Sequence, residues 1–426
     1  MGGKKKNRKK SKSSQQNLKV MAARYRKEFL GQIKYFFNLW LGENTFSMLP
    51  SNEVKTLYNM HFTPPRFIPA EGSVISKKFI RELQELLGMW IDNNSIEISE
   101  NLPKITIYQF LTYYITINYY LHGLKEERFA NANEVKERYK KLDVTYDATM
   151  KRGFQWLDDI LMILGMMQSD PNKCYYLLTG NFKDIRVKKR SVYLVIWVKA
   201  IKPLAMDFVV KGDKRPAYKF GIPLQRAGMY WKLFKPPEKE SFRWKKKLEI
   251  YIQSHAINRL YERLESIDPL LIRFNLYISF FKPNMIYENN YLLIPYVMDN
   301  VTIGYFMAGI TKGKILIRTF LFITNEGTPE ARRLKENTGL NKLDVKYLNI
   351  DKIRVFIESD IVKDERLKNI FIEAGCGGLF DLNLDDPDAY NGALKLAEEM
   401  SKYLETEDEK ENDSDNEISM AEVRAV

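Results

Sequence analysis

Four side chains that can bind phosphate or move a proton occur together on one short segment of the chain. His255, one of only three histidines, precedes Arg259 and Arg263 at steps of four residues, with Glu262 beside the second arginine. On a helix these positions fall within about 100° of rotation, and the opposite side is apolar. Imidazole serves as a general base, and arginine binds phosphate through several N–H donors. These four residues are therefore the candidate catalytic site.

A purely structural alternative explains the same pattern. A helix that turns its polar face to water often carries Arg and Glu, and Glu262 would then pair with a neighbouring arginine. The position of His255 in the first turn favours the chemical interpretation, because the positive end of the helix dipole disfavours a charged imidazole. Both interpretations require the helix; they differ in what meets its polar face.

The string S-H-A-x-x-R-x-x-E-R at residues 254–263 adds a family resemblance. It resembles the signature of small bacterial proteins placed with the barnase/EndoU/colicin/RelE-like ribonuclease superfamily, which includes toxin-like domains. The resemblance covers residues 248–325. In that group the helix precedes an antiparallel sheet whose late strand often carries a threonine. The matching segment here contains Arg318 and Thr319, and the hydroxyl makes Thr319 the favoured fifth site residue.

The resemblance implies metal-independent cleavage of RNA without a cofactor. A ribose 2′-hydroxyl would attack the adjacent phosphate, with His255 acting as base or acid. Arg259 and Arg263 would hold the scissile phosphate. Glu262 would orient an arginine or share the proton transfer.

Positive charge is concentrated in two parts of the chain, whose formal net charge is +13. Residues 1–29 hold eleven Lys and Arg against one acidic residue, and residues 181–250 hold nineteen against six. Such separation from an acidic C-terminal tail predicts a nucleic-acid partner. The resemblance to a ribonuclease superfamily implies RNA in preference to DNA. The candidate nucleic-acid-binding residues are Lys188, Lys189, Arg190, Lys245, Lys246 and Lys247.

Three classes of function fit these features. The first is an RNase-like enzyme. The second is a non-enzymatic nucleic-acid-associated structural or scaffold protein of a phage or mobile element. The third is an interaction module whose acidic C-terminal tail binds a protein partner.

Other classes of site are disfavoured by the residue inventory. Cys174 and Cys376 are far apart, and the few histidines lack ligand spacing, so we expect no metal site, no disulfide and a cytoplasmic location. Residues 104–124 are the most apolar stretch, but Asn118 and His122 favour a buried helix over a membrane span. We therefore expect no membrane partner.

The periodicity predicts an α+β protein in four parts. A helical N-terminal domain is followed by a mainly antiparallel β domain in which a strand-to-helix element packs on the sheet. The parts are a disordered basic tail at 1–18, a helical domain at 19–170, an α+β domain with the candidate site at 171–404 and a disordered acidic tail at 405–426.

Local signals place several boundaries. Residues 62–72 read as a proline-rich break, and residues 352–360 as a final strand. Ser254 is expected to cap the helix that carries His255. Thr328, Pro329 and Gly339 predict a helix with a capped start and a glycine end.

Overall fold

The computed structural model describes residues 12–99, 102–141, 146–188, 191–210, 212–224, 228–237, 246–288, 290–358 and 360–382. The helices are α1 (Lys12–Leu41), α2 (Ser51–Asn59), α3 (Lys77–Asn93), α4 (Ile107–Gln109), α5 (Ile115–His122), α6 (Ala132–Lys141), α7 (Tyr146–Gln168), α8 (Ser254–Arg263), α9 (Pro269–Ser279), α10 (Pro329–Thr338), α11 (Lys342–Tyr347), α12 (Arg354–Glu358) and α13 (Glu365–Glu373). The strands are β1 (Phe62–Pro69), β2 (Ser95–Ile96), β3 (Ile105–Thr106), β4 (Tyr175–Lys188), β5 (Ser191–Ile201), β6 (Ala205–Val210), β7 (Asp213–Lys219), β8 (Ile222–Leu224), β9 (Gly228–Tyr230), β10 (Leu233–Phe234), β11 (Leu248–Ile252), β12 (Ile286–Glu288), β13 (Tyr291–Met298), β14 (Val301–Thr311) and β15 (Lys314–Phe322).

The expected α+β class, with a helical N-terminal part and a later β-rich part, is confirmed. The described residues divide into two compact units. Unit 1 comprises those within Met1–Ile68, Lys77–Leu157 and Gly180–Ile196, and unit 2 comprises those within Pro69–Ser76, Asp158–Thr179 and Trp197–Val426. A single boundary after residue 170 was expected, but α7, β4 and β5 each begin in one unit and end in the other.

The predicted tails are only partly covered by the structure. α1 begins at Lys12, inside the expected tail of 1–18. The apolar periodicity from which the helix was predicted starts only after residue 18, so it did not indicate this first part of the helix. The remainder of that tail and the acidic tail at 405–426 lie outside the described residues.

Unit 1 is built around the apolar face of α1. Phe29, Ile33, Phe36, Phe37 and Trp40 recur at helical spacing and are all buried. Against them lies the apolar stretch predicted as a buried helix, which contains a π-helical turn, Phe110–Tyr114, between α4 and α5. Within the described ranges, no helix combines the length and apolar character needed to cross a membrane.

The proline-rich segment predicted as a break is instead the strand β1. It forms an edge of a three-stranded sheet in the order β1-β5-β4. Proline lacks a backbone N–H and is tolerated on an edge strand, which has one side without a neighbour. The local composition indicated a break, but the segment is extended because it pairs with β5.

Unit 2 contains a larger mixed sheet in the order β12-β13-β14-β15-β11-β7-β6, with β10 also paired to β11. Its pairs are antiparallel except for β11 with β15, where Ile252 lies opposite Ile317. The parallel pair follows from the connection, since α8 and α9 return the chain across the sheet before β12 begins.

Helices α8 and α9 cover one face of this sheet. The Tyr296 hydroxyl of β13 donates to the Ile272 carbonyl of α9 at 3.1 Å, and Phe306 of β14 contacts Phe280, with ring centroids 5.3 Å apart. Tyr261 of α8 interacts electrostatically with Tyr296, which places α8 on the same side. The opposite face has its own buried cluster, formed by Phe208, Ala217, Tyr251 and Leu316.

Two further local expectations are corrected and one is confirmed. Residues 352–360 contain α12, not a strand, because Phe356 packs among other aromatic rings and not in the sheet. Gln253 occupies the N-cap position of α8 without a side-chain bond, so Ser254 is the first helical residue. The helix α10 has the predicted ends: the Thr328 hydroxyl accepts from the Ala331 N–H, and Gly339 is left-handed at φ 73°.

Candidate nucleic-acid interface

The strand β11 runs directly into α8, and this junction positions His255. Ala256, Ile257 and Leu260 are buried on the sheet side of α8. His255 and Glu262 are exposed, and Arg259 is half-buried. The predicted division into an apolar and a polar face is therefore confirmed for this helix.

Two arginines from different elements act electrostatically on His255, Arg259 of its own helix and Arg215 of β7. Partial burial lowers the pKa of its imidazole, and the positive charges of Arg259 and Arg215 lower that pKa further, against a smaller opposite effect of Glu262. The imidazole is therefore held in its neutral form near neutral pH. A neutral imidazole near two guanidinium charges is suited to contacting a phosphate.

Arg259 pairs within its own helix. Its Nη1 donates to both carboxylate oxygens of Glu262, at 2.7 and 2.6 Å. Both side chains keep more than a third of their surface exposed, so this pair contributes little to stability and opens at low cost. The structural alternative for Glu262, pairing with a neighbouring arginine, is thus observed.

Arg263 is a buried structural residue. Its Nη1 donates to Asp351 Oδ2, and the two side chains are only 15% and 5% exposed. The Arg263 carbonyl also accepts from the Ile353 N–H at 3.0 Å. Arg263 therefore joins the end of α8 to the segment that precedes α12, and the expectation that it holds a scissile phosphate does not agree with this position.

Thr319 does not face α8 either. The ladder of β14 with β15 shifts register between Met307 and Ala308, which leaves Arg318 as an extra residue in β15. Phe320 packs against Phe306 on the side covered by α9, so the adjacent Thr319 points to the other face. Arg318 lies on that other face too, because its Nη2 would be 3.3 Å from a Cβ at Gly309. The register therefore puts Thr319 on the face of the sheet opposite the one that α9 covers, and a role of Thr319 beside His255 stays a prediction.

Arg215 is the site residue that sequence reasoning missed. It is exposed on β7, and the antiparallel pairing of Ile252 with Tyr218 carries this part of β7 toward the start of α8. Alternation puts the Arg215 side chain on the sheet face of Phe208 and Ala217, away from the helices. Forty residues separate Arg215 from His255 along the chain. The available signal was the basic pair Lys214-Arg215 inside a predicted strand pattern, but only the strand pairing brings that pair toward His255.

The predicted basic runs are partly covered. Lys189, Arg190 and Lys245 lie outside the described residues. Lys188 is the last residue of β4, and only its backbone is described. Lys246 and Lys247 are exposed just before β11. Extending the parallel register from Ile250 opposite Ile315 puts Lys247 beside the exposed Lys312 of the β14–β15 hairpin.

Two other lysines near this end of β11 share one carboxylate, so the three groups together keep one net positive charge. Glu249 accepts from Lys219 at 2.6 Å and also from Lys314. These two hydrogen bonds lower the pKa of the Glu249 carboxyl. Among the described residues, this end of β11 also exposes Lys246, Lys247 and Lys312, so the charge that it presents to solvent is positive.

Among the residues that the structure describes, no three His, Cys, Asp or Glu side chains are grouped as a metal site would require. Comparison with known proteins gives no match to a family model, to a curated protein or to a solved structure. A function for this chain has to be argued from the geometry of its own residues.

Proposed function

We propose that this chain is an RNA-binding protein whose unit 2 holds the phosphate backbone with cationic side chains at both ends of β11. The observation that carries the proposal is the placement of exposed cations. The exposed Lys214 and Arg215 of β7 and the half-buried Arg259 of α8 lie toward the end of β11, and the exposed Lys246 and Lys247 precede its start at Leu248. β11 has five residues, a length of about 17 Å. Two cationic groups at that separation match a strand of several phosphates.

RNA rather than DNA is the ligand that the resemblance of residues 254–263 supports. Binding without cleavage is the form of this function that the site favours. Metal-independent cleavage needs a base, an acid and a phosphate clamp. Arg263 is committed to Asp351 and Thr319 lies on the opposite face of the sheet, so two of the five expected catalytic residues do not support cleavage at His255.

RNA cleavage at His255 is the second candidate, and one observation favours it. Partial burial, and then the positive charges of Arg259 and Arg215, lower the pKa of the His255 imidazole, which favours the neutral form that a base needs. In such a reaction His255 would take the proton of the 2′-hydroxyl, the 2′ oxygen would bond to phosphorus and the bond to the 5′ oxygen would break. Glu262 is ion-paired with Arg259, so water would supply the proton to the departing 5′ oxygen.

One experiment separates these candidates. Wild-type protein and two charge-reversal variants, Lys214→Glu/Arg215→Glu and Lys246→Glu/Lys247→Glu, are titrated against labelled RNA in EDTA by fluorescence anisotropy. We expect each variant to weaken binding by about tenfold and to reduce the slope of log affinity against log salt by about 1.4, the effect of two lost phosphate contacts.

The matched control is Lys342→Glu/Lys346→Glu, which makes the same change of charge at exposed positions of α11. It should change affinity by less than about twofold, since it alters only the net field of the protein. Equal weakening by the control and the β11 variants would contradict the proposed surface. The same samples and a His255→Ala variant are run on a gel. If wild type cuts the RNA and His255→Ala does not, cleavage is the function in place of binding alone.

A further inference from the structure

The outward face of α1 in unit 1 has a composition that its packing does not explain. Arg24, Lys27, Gly31, Lys34 and Tyr35 are all exposed and fall within about 100° of rotation, opposite the buried aromatic face. We call these five residues the outer stripe of α1. A helix needs one apolar face for the core, but it does not need ordered cations and an aromatic ring on the other.

The charge of α1 is strongly one-sided. The helix contains six Lys and Arg against one acidic residue, Glu28. Glu28 accepts from Arg24 at 2.7 Å in an exposed pair, which is weak in water. Lys27 and Lys34 lie seven residues apart, about 10 Å along the helix, and carry the positive charge of the stripe.

Tyr35 presents a flat aromatic surface next to these lysines. The residue is 57% exposed, while its ring stands edge-on to the buried Phe36 ring with centroids 5.1 Å apart. That contact restrains the ring without covering it. Exposed aromatic rings beside cations are the elements with which proteins bind single-stranded nucleic acid, because each base stacks on a ring and each phosphate meets a cation.

Gly31 makes room for a close approach in the middle of the stripe. A Cβ at this position would have no atom within 4 Å. The gap belongs to a shallow groove lined by Lys34, Tyr35 and Asn38 and, past the end of α1, by Glu43. A sugar–phosphate backbone can therefore lie against the helix backbone between Lys27 and Lys34.

We infer that the outer stripe of α1 is an RNA-binding surface that takes an unpaired strand, with phosphates on Lys27 and Lys34 and a base stacked on Tyr35. Duplex RNA keeps its bases stacked along a deep, narrow major groove, so a base that stacks on Tyr35 has to come from an unpaired strand. Unpaired bases are what RNA loops expose, and they are free to stack. This surface rests on the proposed RNA-binding function and adds the single-stranded form of the ligand.

The test uses the full chain and a labelled, unstructured RNA of about 12 nucleotides, followed by fluorescence anisotropy. Lys27→Glu/Lys34→Glu should weaken binding about tenfold and reduce the salt slope by about 1.4. The matched control is Lys77→Glu/Lys78→Glu at exposed positions of α3 in the same unit, and it should stay within about twofold of wild type.

The ring is tested separately. Tyr35→Ala should weaken binding about tenfold, whereas Tyr35→Phe keeps the stacking surface and should stay within about twofold of wild type. Circular dichroism verifies that each variant is folded. Equal affinities of Lys27→Glu/Lys34→Glu and its control for single-stranded RNA would overturn the inference, as would a loss confined to DNA or to duplex RNA. If only the β11 variants weaken binding, the proposed function stands without this surface; wild type that binds no RNA removes both.

Discussion

At the scale of single residues, the helix α8 shows that one pattern can contain several different roles. His255 is exposed in the first turn, Arg259 is paired at the surface, and Arg263 is mostly buried against Asp351. The two arginines occupy equivalent positions four residues apart in the sequence. Their roles differ because the segment before α12 covers only the end of the helix.

The different roles predict a large loss of stability when Arg263 is removed and a small one when Arg259 is removed. Arg263→Ala leaves the Asp351 carboxylate buried without its cation, so we expect the free energy of unfolding to fall by about 3 kcal/mol. Arg259→Ala removes an exposed pair and should cost less than about 1 kcal/mol while weakening RNA binding. Urea denaturation followed by circular dichroism measures the first effect, and anisotropy measures the second. Equal stabilities of the two variants would contradict these assignments.

His61 predicts a pH dependence for unit 1. Its ring is buried beside Phe29 and stacked on Tyr58, and its Nδ1 lies 2.5 Å from the Tyr58 carbonyl oxygen. Burial lowers the pKa of His61 below the ordinary value of 6.5. When the pH falls below about 6.5, the unfolded chain binds a proton at this residue before the folded chain does, so stability decreases down to the folded pKa.

We therefore expect His61→Phe, which keeps an aromatic ring, to lose less stability than wild type when the pH is lowered from about 7.5 to about 5.5. The measurement is the urea midpoint at both pH values. His122→Gln serves as the control because it removes an exposed histidine from the same unit. A pH response of His61→Phe that equals the wild-type response would show that His61 does not cause the loss.

At the scale of elements, the β14–β15 hairpin determines which side chains reach the site. The extra residue at Arg318 keeps Ile317 and Phe320 on the helix-covered face and turns Thr319 away from it. Regular alternation without this bulge would have given Thr319 the side occupied by Ile317. The extra residue in β15 thus turns Thr319, a predicted site residue, away from the helix-covered face of the sheet.

The packing of this hairpin predicts unequal costs for two glycine substitutions in β14. A Cβ at Gly304 would overlap the Leu321 carbonyl oxygen and lie 2.7 Å from Phe320 Cζ. A Cβ at Gly309 would meet only the mobile end of Arg318, at 3.3 Å. Gly304→Ala should therefore lower the free energy of unfolding by about 2 to 3 kcal/mol, and Gly309→Ala by less than about 1 kcal/mol. Thermal or urea denaturation of both variants tests the difference, and similar values would refute the packing explanation.

At the scale of the whole molecule, the charge distribution agrees with the proposed ligand. The net charge of +13 includes exposed cations in each unit, on the outward face of α1 and at both ends of β11. Affinity that depends on phosphate contacts falls steeply as salt is raised, so the salt slope of wild-type protein should exceed that of either charge-reversal variant. The α1 surface belongs to unit 1, and the β11 surface belongs to unit 2.

The sequence by itself determined the elements whose signals are local. The apolar periodicity of α1 and α8, the alternating strands of the later half and the Thr328 and Gly339 ends of α10 were all predictable, because they depend on neighbours a few residues apart. Tertiary structure decided the rest. Pairing between distant segments made a strand of the proline-rich β1, brought Arg215 toward His255 and tied Arg263 to Asp351. Residue types and spacing do not specify such pairings, since a polar stripe has the same pattern whether it meets water, a carboxylate or a phosphate.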